Sequence, residues 1–186
     1  ERDQVLIQFA NRSCSVLVAT DVAARGLDIT QLEAVINVDV TPDPEIYIHR
    51  IGRTGRADED GWAFSLCSPA DRRRIAAIAE MTQSEPEWHG LGSLQSGNDA
   101  PLVPPMVTLQ ILGGRKEKIR PGDVLGALTG EAGGERQFTR EQVGKITVTD
   151  QSTYVAVARE LAREAVRKLT HGKVKGKTVK VRALED

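Results

Sequence analysis

The chain has 186 residues, which accommodates one domain or two small ones, and its 25 Lys and Arg nearly balance 26 Asp and Glu. A hydrophobic content of 40% excludes wholesale disorder, and neither a membrane-spanning apolar run nor a signal peptide is visible, so no membrane partner is expected. Two cysteines, Cys14 and Cys67, are too few for a disulfide framework or a zinc cluster, so we expect no metal site and a reducing, cytoplasmic location.

The first eighty residues alternate short apolar runs with amphipathic segments. This alternation predicts a parallel sheet with helices on both faces. Three strands are too few for a whole domain of this kind, and the chain begins with Glu1, so we expect a partial domain. The predicted elements are a helix over 2–11, a strand over 15–19, a strand over 34–38, a helix from 43 through 49, a strand over 62–67 and a helix from 68 to about 81.

A Gly-, Ser- and Pro-rich stretch follows, and the charge balance changes sign across it. Residues 1–90 carry 15 acids and 9 bases, all of the bases being Arg, whereas residues 106–186 carry 10 acids, 16 bases and all eight lysines. This asymmetry favours two units with different partners, the second suited to a polyanion. We therefore predict a first domain over 1–81, a linker over 82–105 and a second domain over 106–186.

The second unit has the pattern βαββαβ within about 80 residues, which predicts a ferredoxin-like arrangement similar to many RNA-recognition modules. The predicted elements are a strand over 107–112, a helix over 121–129, strands over 143–148 and 153–158, a helix over 159–170 and a strand over 178–182.

Two segments carry the chemistry of the first unit, residues 19–29 and residues 47–56, and each follows a predicted strand. Ligands bind at the carboxyl ends of strands in open α/β sheets. Arg53 and Arg56, three residues apart beside small neighbours, could reach one phosphoryl group together, because guanidinium forks match phosphate oxygens. The alternative is a solvated basic helix face paired with acids of residues 58–60.

These two segments read ATDVAARGLDI and YIHRIGRTGR, and they closely resemble the fifth and sixth motifs of DEAD-box RNA helicases. The resemblance covers roughly residues 1–80 and implies part of the second RecA-like helicase domain. It assigns ATP γ-phosphate contact and catalysis to Arg53 and Arg56, ATP ribose contact to Asp28, coupling of the two helicase domains to His49, and RNA-backbone contact to Thr20, Arg25 and Gly26. A packed or capping His49 and a structural Asp21 paired with a nearby Arg are alternatives.

The chain has no GxxxxGK[ST] motif and no DEAD box. GKVKGKT, residues 172–178, is one residue short between its glycines and precedes a predicted strand, so it lacks the helix N-terminus of a P-loop. The resemblance therefore implies ATP with Mg²⁺ as cofactor, bound mainly by a first helicase domain outside this sequence. We expect this chain alone to hydrolyse no ATP.

Strand alternation in the second unit predicts a polar sheet face with one aromatic, flanked by two basic loops. Such a surface suits single-stranded or looped RNA, although the usual set of several aromatics is absent. A protein-binding sheet is the alternative. The candidate RNA-binding residues are Gln110, Lys145, Tyr154, Lys180 and Arg182 on the sheet, and Arg115, Lys116, Lys118, Arg120, Lys173, Lys175 and Lys177 in the loops.

The segment IRPGDVLGALTG, residues 119–130, together with VGKI and GKVKGKT, resembles the C-terminal domain of the DbpA subgroup. That resemblance implies an RNA helicase directed to a hairpin of 23S ribosomal RNA during ribosome assembly. Structured RNA is the expected partner and DNA is not, while no pattern indicates an oligomeric state. The runner-up interpretation is a non-catalytic RNA-binding or protein-docking adaptor.

Overall fold

The computed structural model describes residues 2–21, 29, 32–55, 60–95, 97, 100–130 and 137–184. Two compact units are present, one of Ala19–Asp99 and one that combines Glu1–Val18 with Ala100–Asp186. The helices are α1 (Arg2–Ala10), α2 (Pro44–Ile51), α3 (Arg72–Thr82), α4 (Pro121–Thr129) and α5 (Ala162–His171), and the strands are β1 (Ala34–Asn37), β2 (Trp62–Ser65), β3 (Met106–Leu112), β4 (Val143–Val148), β5 (Ser152–Ala158) and β6 (Lys180–Leu184).

The unit of residues 19–99 contains a parallel pair of strands, β1 and β2, in register from Ala34 opposite Trp62 to Asn37 opposite Ser65. Helices α2 and α3 contact each other. The mixed α/β fold class predicted from the sequence is confirmed, with a parallel sheet here and an antiparallel sheet in the other unit. The predicted domain boundaries stay a prediction.

The strand predicted over residues 15–19 was wrong. Residues 16–20 are irregular, and Val18 is 93% exposed. An apolar run becomes a strand only when another strand pairs with its backbone groups, and β1 is hydrogen-bonded to β2 alone in the described sheet.

The second unit is built on a four-stranded antiparallel sheet in the order β4-β5-β3-β6. With α4 between β3 and β4, and α5 between β5 and β6, this is the ferredoxin-like arrangement that the sequence predicts. Alternate residues of the central strands enter the core, so Leu109, Ile111, Val155 and Val157 are completely buried beneath α4 and α5.

The opposite face of this sheet is partly covered by the segment around the end of α1. The Asn11 side-chain amide donates to the Thr108 hydroxyl at 3.1 Å, and the Gln8 amide donates to the Leu184 carbonyl at 3.4 Å. Thr108 and Leu184 are therefore buried although they point away from the core. The exposed part of the face lies at the other end of β3, where Leu112 is opposite Lys180.

Candidate functional site

Helix α2 carries the first half of the second candidate segment, residues 47–56, and leads to Arg53. The Asp43 carboxylate accepts from the Glu45 N–H at 2.9 Å and Pro44 occupies the first turn, which together start the helix. The helix ends at Ile51 and is capped by Gly52, whose N–H donates to the Ile48 carbonyl at 2.8 Å. The chain then continues directly into Arg53.

Backbone contacts hold Arg53 in place. Its carbonyl accepts from the Leu32 N–H at 3.0 Å, and its N–H donates to the Arg50 carbonyl at 3.3 Å. Thr54 forms a parallel bridge with Leu32, and its hydroxyl donates to the Leu32 carbonyl. The half-buried Arg53 is thus anchored to the residues that lead into β1.

Arg50 joins the two candidate segments. Its Nε and Nη2 donate to the two carboxylate oxygens of Asp21 at 2.7 and 2.8 Å, and its Nη1 donates to the Asp39 carbonyl at 2.9 Å. The hydrogen bond to Asp21 is the main cause that raises the pKa of Arg50. This two-pronged pair fastens the end of one segment to the helix that carries the other.

The structural interpretation of Asp21 is thereby supported, whereas all of the predicted ATP and RNA contacts of the first unit stay predictions. Thr20 is exposed and adjoins Asp21, and His49 is exposed near the end of α2. The other candidates, Arg25, Gly26, Asp28 and Arg56, lie outside the described residues. The expected meeting of Arg53, Arg56 and Asp28 is therefore untested.

We predict that Asp21 and Arg50 stabilise this unit as a coupled pair. Both side chains are partly exposed, at 37% and 24%, so solvent screening limits the coupling free energy to about 0.5–1 kcal/mol. Asp21→Asn, Arg50→Gln and the double variant form a double-mutant cycle, read by urea unfolding. Trp62 and Trp88, the two tryptophans of the sequence, both lie in this unit but are 66% and 65% exposed, so unfolding is followed by far-UV circular dichroism. Strictly additive losses would contradict the coupling.

On the face of the antiparallel sheet opposite α4 and α5, three predicted RNA-binding residues meet, of which Gln110 is buried, Tyr154 half-buried and Arg182 exposed. Gln110 lies opposite Tyr154 on one neighbouring strand and opposite Arg182 on the other. Its side-chain amide nitrogen donates to the Tyr154 hydroxyl at 3.3 Å and to the Ser152 hydroxyl at 3.2 Å, while Arg182 Nε donates to the side-chain Oε1 of Gln110 at 2.7 Å. These contacts preorganise one aromatic ring and one guanidinium at the surface.

The other predicted RNA-binding cations of this unit are exposed, on the sheet and in the two loops, whereas one further lysine is buried. Lys145 is exposed where β4 shifts its register, and Lys180 is exposed at the start of β6. All seven predicted loop cations are exposed, and the Lys175 ammonium donates to the Lys118 carbonyl. Lys168 is a buried cation that donates to the Gly130 carbonyl at 2.8 Å, and it serves the fold.

Sequence reasoning missed two residues that hold the candidate sites together, Ser152 on the sheet face and Arg50 beside Asp21. Ser152 was left outside the strand predicted over residues 153–158, although its even spacing from Tyr154 was a signal that both share one face. Arg50 was not named as the partner of Asp21, because sequence spacing does not reveal which of several arginines approaches a carboxylate. The rejection of residues 172–178 as a P-loop is supported, since α5 ends before them and β6 follows.

Within the described residues, no group of three or more His, Cys, Asp or Glu side chains could hold a metal ion. Over the same part of the chain, no helix has the length and apolar character needed to cross a membrane.

Two protein families match this sequence. The family described as helicase conserved C-terminal domain matches residues 1–58, and the family described as DbpA RNA binding domain matches residues 108–183. The first of these ranges contains both candidate segments of the first unit, and the second contains the sheet network and both basic loops.

Two of the curated relatives match the chain over all or nearly all of its length. ATP-dependent RNA helicase DbpA of Escherichia coli (strain K12) is 48% identical over 100% of this chain and 39% of its own length. ATP-dependent RNA helicase DbpA of Bacillus subtilis (strain 168) is 32% identical over 97% of this chain and 41% of its own length. The chain thus spans about two fifths of the length of these relatives.

Among solved structures, the E. coli DEAD-box protein SrmB, bound to regulator of ribonuclease activity A, is 34% identical. The alignment covers 54% of this chain and 59% of that chain, with a TM-score of 0.46.

Proposed function

The chain belongs to the DbpA group of DEAD-box RNA helicases through both of its matched domains, and from this premise we propose that it acts as the C-terminal portion of an RNA-dependent ATPase that unwinds or remodels structured RNA. The structural observation that carries the proposal is the pair of Arg50 with Asp21. This pair joins Asp21 of the first candidate segment to the helix that carries the second. An RNA-dependent ATPase of this kind needs both segments at the carboxyl ends of its parallel strands.

In this proposal, Arg53 and Arg56 hold the γ-phosphate of ATP, and Asp28 meets the ribose. The chemistry of the donors fits the ligand, because guanidinium groups stay charged and pair with phosphate oxygens. Bound ATP with Mg²⁺ supplies a phosphoryl group whose transfer to water releases free energy. A preceding helicase domain holds most of the nucleotide and the Mg²⁺, and His49 couples the two domains.

The second unit binds structured RNA in this proposal and thereby selects where the helicase works. Its sheet face offers Tyr154 for stacking on a base and Arg182 for a phosphate or base edge. We propose a hairpin of 23S ribosomal RNA as the target, with ribosome assembly in the cytoplasm as the setting. Tethering to RNA raises the local RNA concentration at the helicase domains.

Two measurements test this function. The chain should bind the 23S hairpin at least about tenfold more tightly than an unrelated hairpin of equal length, with affinity that falls as salt rises. The chain alone should show no RNA-stimulated ATP turnover, and a longer protein with the preceding domain should show it. RNA binding without turnover in the longer protein would favour the adaptor interpretation, and equal affinity for both hairpins would refute the proposed target.

A further inference from the structure

The face of the antiparallel sheet opposite α4 and α5 has two ends of different chemistry. One end carries the polar network around Gln110 described above. At the other end, Thr108, Ala156 and Leu184 lie opposite one another on three adjacent strands. We call these three residues the covered end, because all of them are buried although their side chains point away from the core. A part of the chain outside the core therefore shields them from solvent.

The segment at the end of α1 provides this shield. Gln8 and Asn11 are three residues apart, so their side chains point to one side, and both are buried. The side-chain amide nitrogen of Asn11 donates to the Thr108 hydroxyl at 3.1 Å, and that of Gln8 donates to the Leu184 carbonyl at 3.4 Å. One turn of α1 thus contacts two neighbouring strands of the sheet.

Two further contacts fix the residues that follow the helix. The Ser13 and Thr108 hydroxyls form a hydrogen bond of 2.5 Å, and the Met106 N–H donates to the Arg12 carbonyl at 3.3 Å. Arg12 has a left-handed backbone with φ of 57°, which turns the chain at the end of α1. We call residues 8–13 the docking segment. The Thr108 hydroxyl, shared by two of its side chains, is the centre of the contact.

The contact with the sheet helps to keep α1 helical. The helix has 9 residues, all of which the structure describes, and only Gln8 among them is buried. Helices shorter than about 12–15 residues are marginal in water on their own, so tertiary contacts must supply the stability that α1 lacks. Protection of the α1 amides from hydrogen exchange therefore measures how firmly the docking segment is held.

The contact also includes a cost that makes it reversible. Asn11 Oδ1 is buried, and no hydrogen-bond partner is found for it among the described residues. A buried acceptor without a donor loses its interaction with solvent without compensation. We therefore expect the docking segment to separate from the sheet more readily than the strands separate from one another.

We propose that the covered end is an intramolecular docking site for residues 8–13 and is not part of the RNA-binding surface. Its occupant lies in the range matched by the helicase C-terminal family, residues 1–58, whereas Thr108 lies in the range matched by the DbpA RNA-binding family, residues 108–183. The chemistry of the covered end agrees, because its three side chains offer neither an aromatic ring for stacking nor a cation for phosphate.

Docking gives the RNA-binding domain a second link to the rest of the chain. The compact unit of this domain includes residues 1–18 as well as residues 100–186, so residues 19–99 leave this unit and return to it. The docking segment thus adds a noncovalent link to the covalent one over residues 82–105. Such a link raises the effective concentration of the joined parts beyond that of a single flexible tether.

Hydrogen exchange of the backbone amides in the whole chain, followed by NMR, tests the docking site without RNA. Thr108→Val nearly keeps the side-chain shape and removes the shared hydroxyl, which leaves buried donors of the docking segment without a partner. Thr147→Val is the matched control on β4 of the same sheet face. Asn11→Ala tests the contact from the other side, and Val5→Ala at an exposed position of α1 is its control.

The amides of residues 6–11 should exchange roughly 5- to 50-fold faster in Thr108→Val and in Asn11→Ala than in the parent chain. Each control should change their exchange by less than about threefold. Asn11→Ala lies outside the sheet, so it decides the question even where Thr108→Val loosens β3. Unchanged exchange in Asn11→Ala, or equal acceleration in Val5→Ala, would overturn the docking site.

Addition of the RNA hairpin from the preceding test separates docking from simple obstruction of an RNA surface. With saturating RNA, the α1 amides should stay protected to within about threefold of the free chain. Loss of their protection on RNA binding would overturn the proposal, because RNA would then compete with α1 for the covered end. A chain that binds no RNA refutes the proposed RNA-binding function, whereas the exchange of the free chain still decides the docking site.

Discussion

Replacement of Arg53 or Arg56 by Ala is expected to lower RNA-stimulated ATP turnover by roughly 10³–10⁵-fold in the protein that includes the preceding helicase domain. The transition state of phosphoryl transfer spreads negative charge over the equatorial oxygens, and a positioned guanidinium stabilises it. Arg53 is positioned by its backbone contacts with Leu32 and Arg50. Steady-state ATPase assays at saturating RNA measure the effect.

Arg73→Ala is the control for this prediction, because Arg73 is an exposed arginine on α3 of the same unit. Its turnover should equal that of the parent protein. Arg53→Lys should rescue little, since an ammonium lacks the planar fork. Far-UV circular dichroism verifies that each variant is folded. Turnover that survives both alanine substitutions would remove these arginines from the catalytic machinery.

A large loss of folding stability is expected when the core beneath the antiparallel sheet is truncated. Leu109 is completely buried on the central strand β3, between β5 and β6 and beneath the two helices. Leu109→Ala removes buried methyl groups and leaves a cavity, which should reduce the free energy of unfolding by about 2–5 kcal/mol. In urea, this loss corresponds to a midpoint roughly 1–3 M lower, measured by circular dichroism at 222 nm.

Leu112→Ala on the same strand is the matched control, because the Leu112 side chain lies on the opposite face and is 54% exposed. This substitution should change the free energy of unfolding by no more than about 0.5 kcal/mol. Equal destabilisation by the two substitutions would contradict the assignment of odd-numbered residues of β3 to the core.

The second unit could be predicted well from its sequence. The helix over residues 121–129 and the strand over 143–148 were predicted with the bounds observed. Pro121 marks the start of the helix locally, and the apolar residues Val143, Ile146 and Val148 mark the strand although its register shifts between Val143 and Ile146. The last strand was placed two residues too early, since Val179 is buried although β6 begins at Lys180. Burial and strand pairing need not begin at the same residue.

The first unit was less predictable. Residues 15–19 have the apolar composition of a buried strand, but Val16 and Val18 are exposed. Composition cannot report whether a partner strand is hydrogen-bonded to the segment. The contacts between the end of α1 and the antiparallel sheet were also beyond prediction, since Asn11 and Thr108 are 97 residues apart.

Local sequence alone determined the element types of the ferredoxin-like domain, the face that each β3 side chain occupies and the concentration of positive charge in two loops. These properties depend on periodicity, turn chemistry and composition, which short stretches of chain contain. Only the tertiary structure decided that Arg50 is the partner of Asp21 and that Lys175 joins the two loops at Lys118. Such contacts unite residues distant in sequence, and their geometry follows from how strands and helices pack.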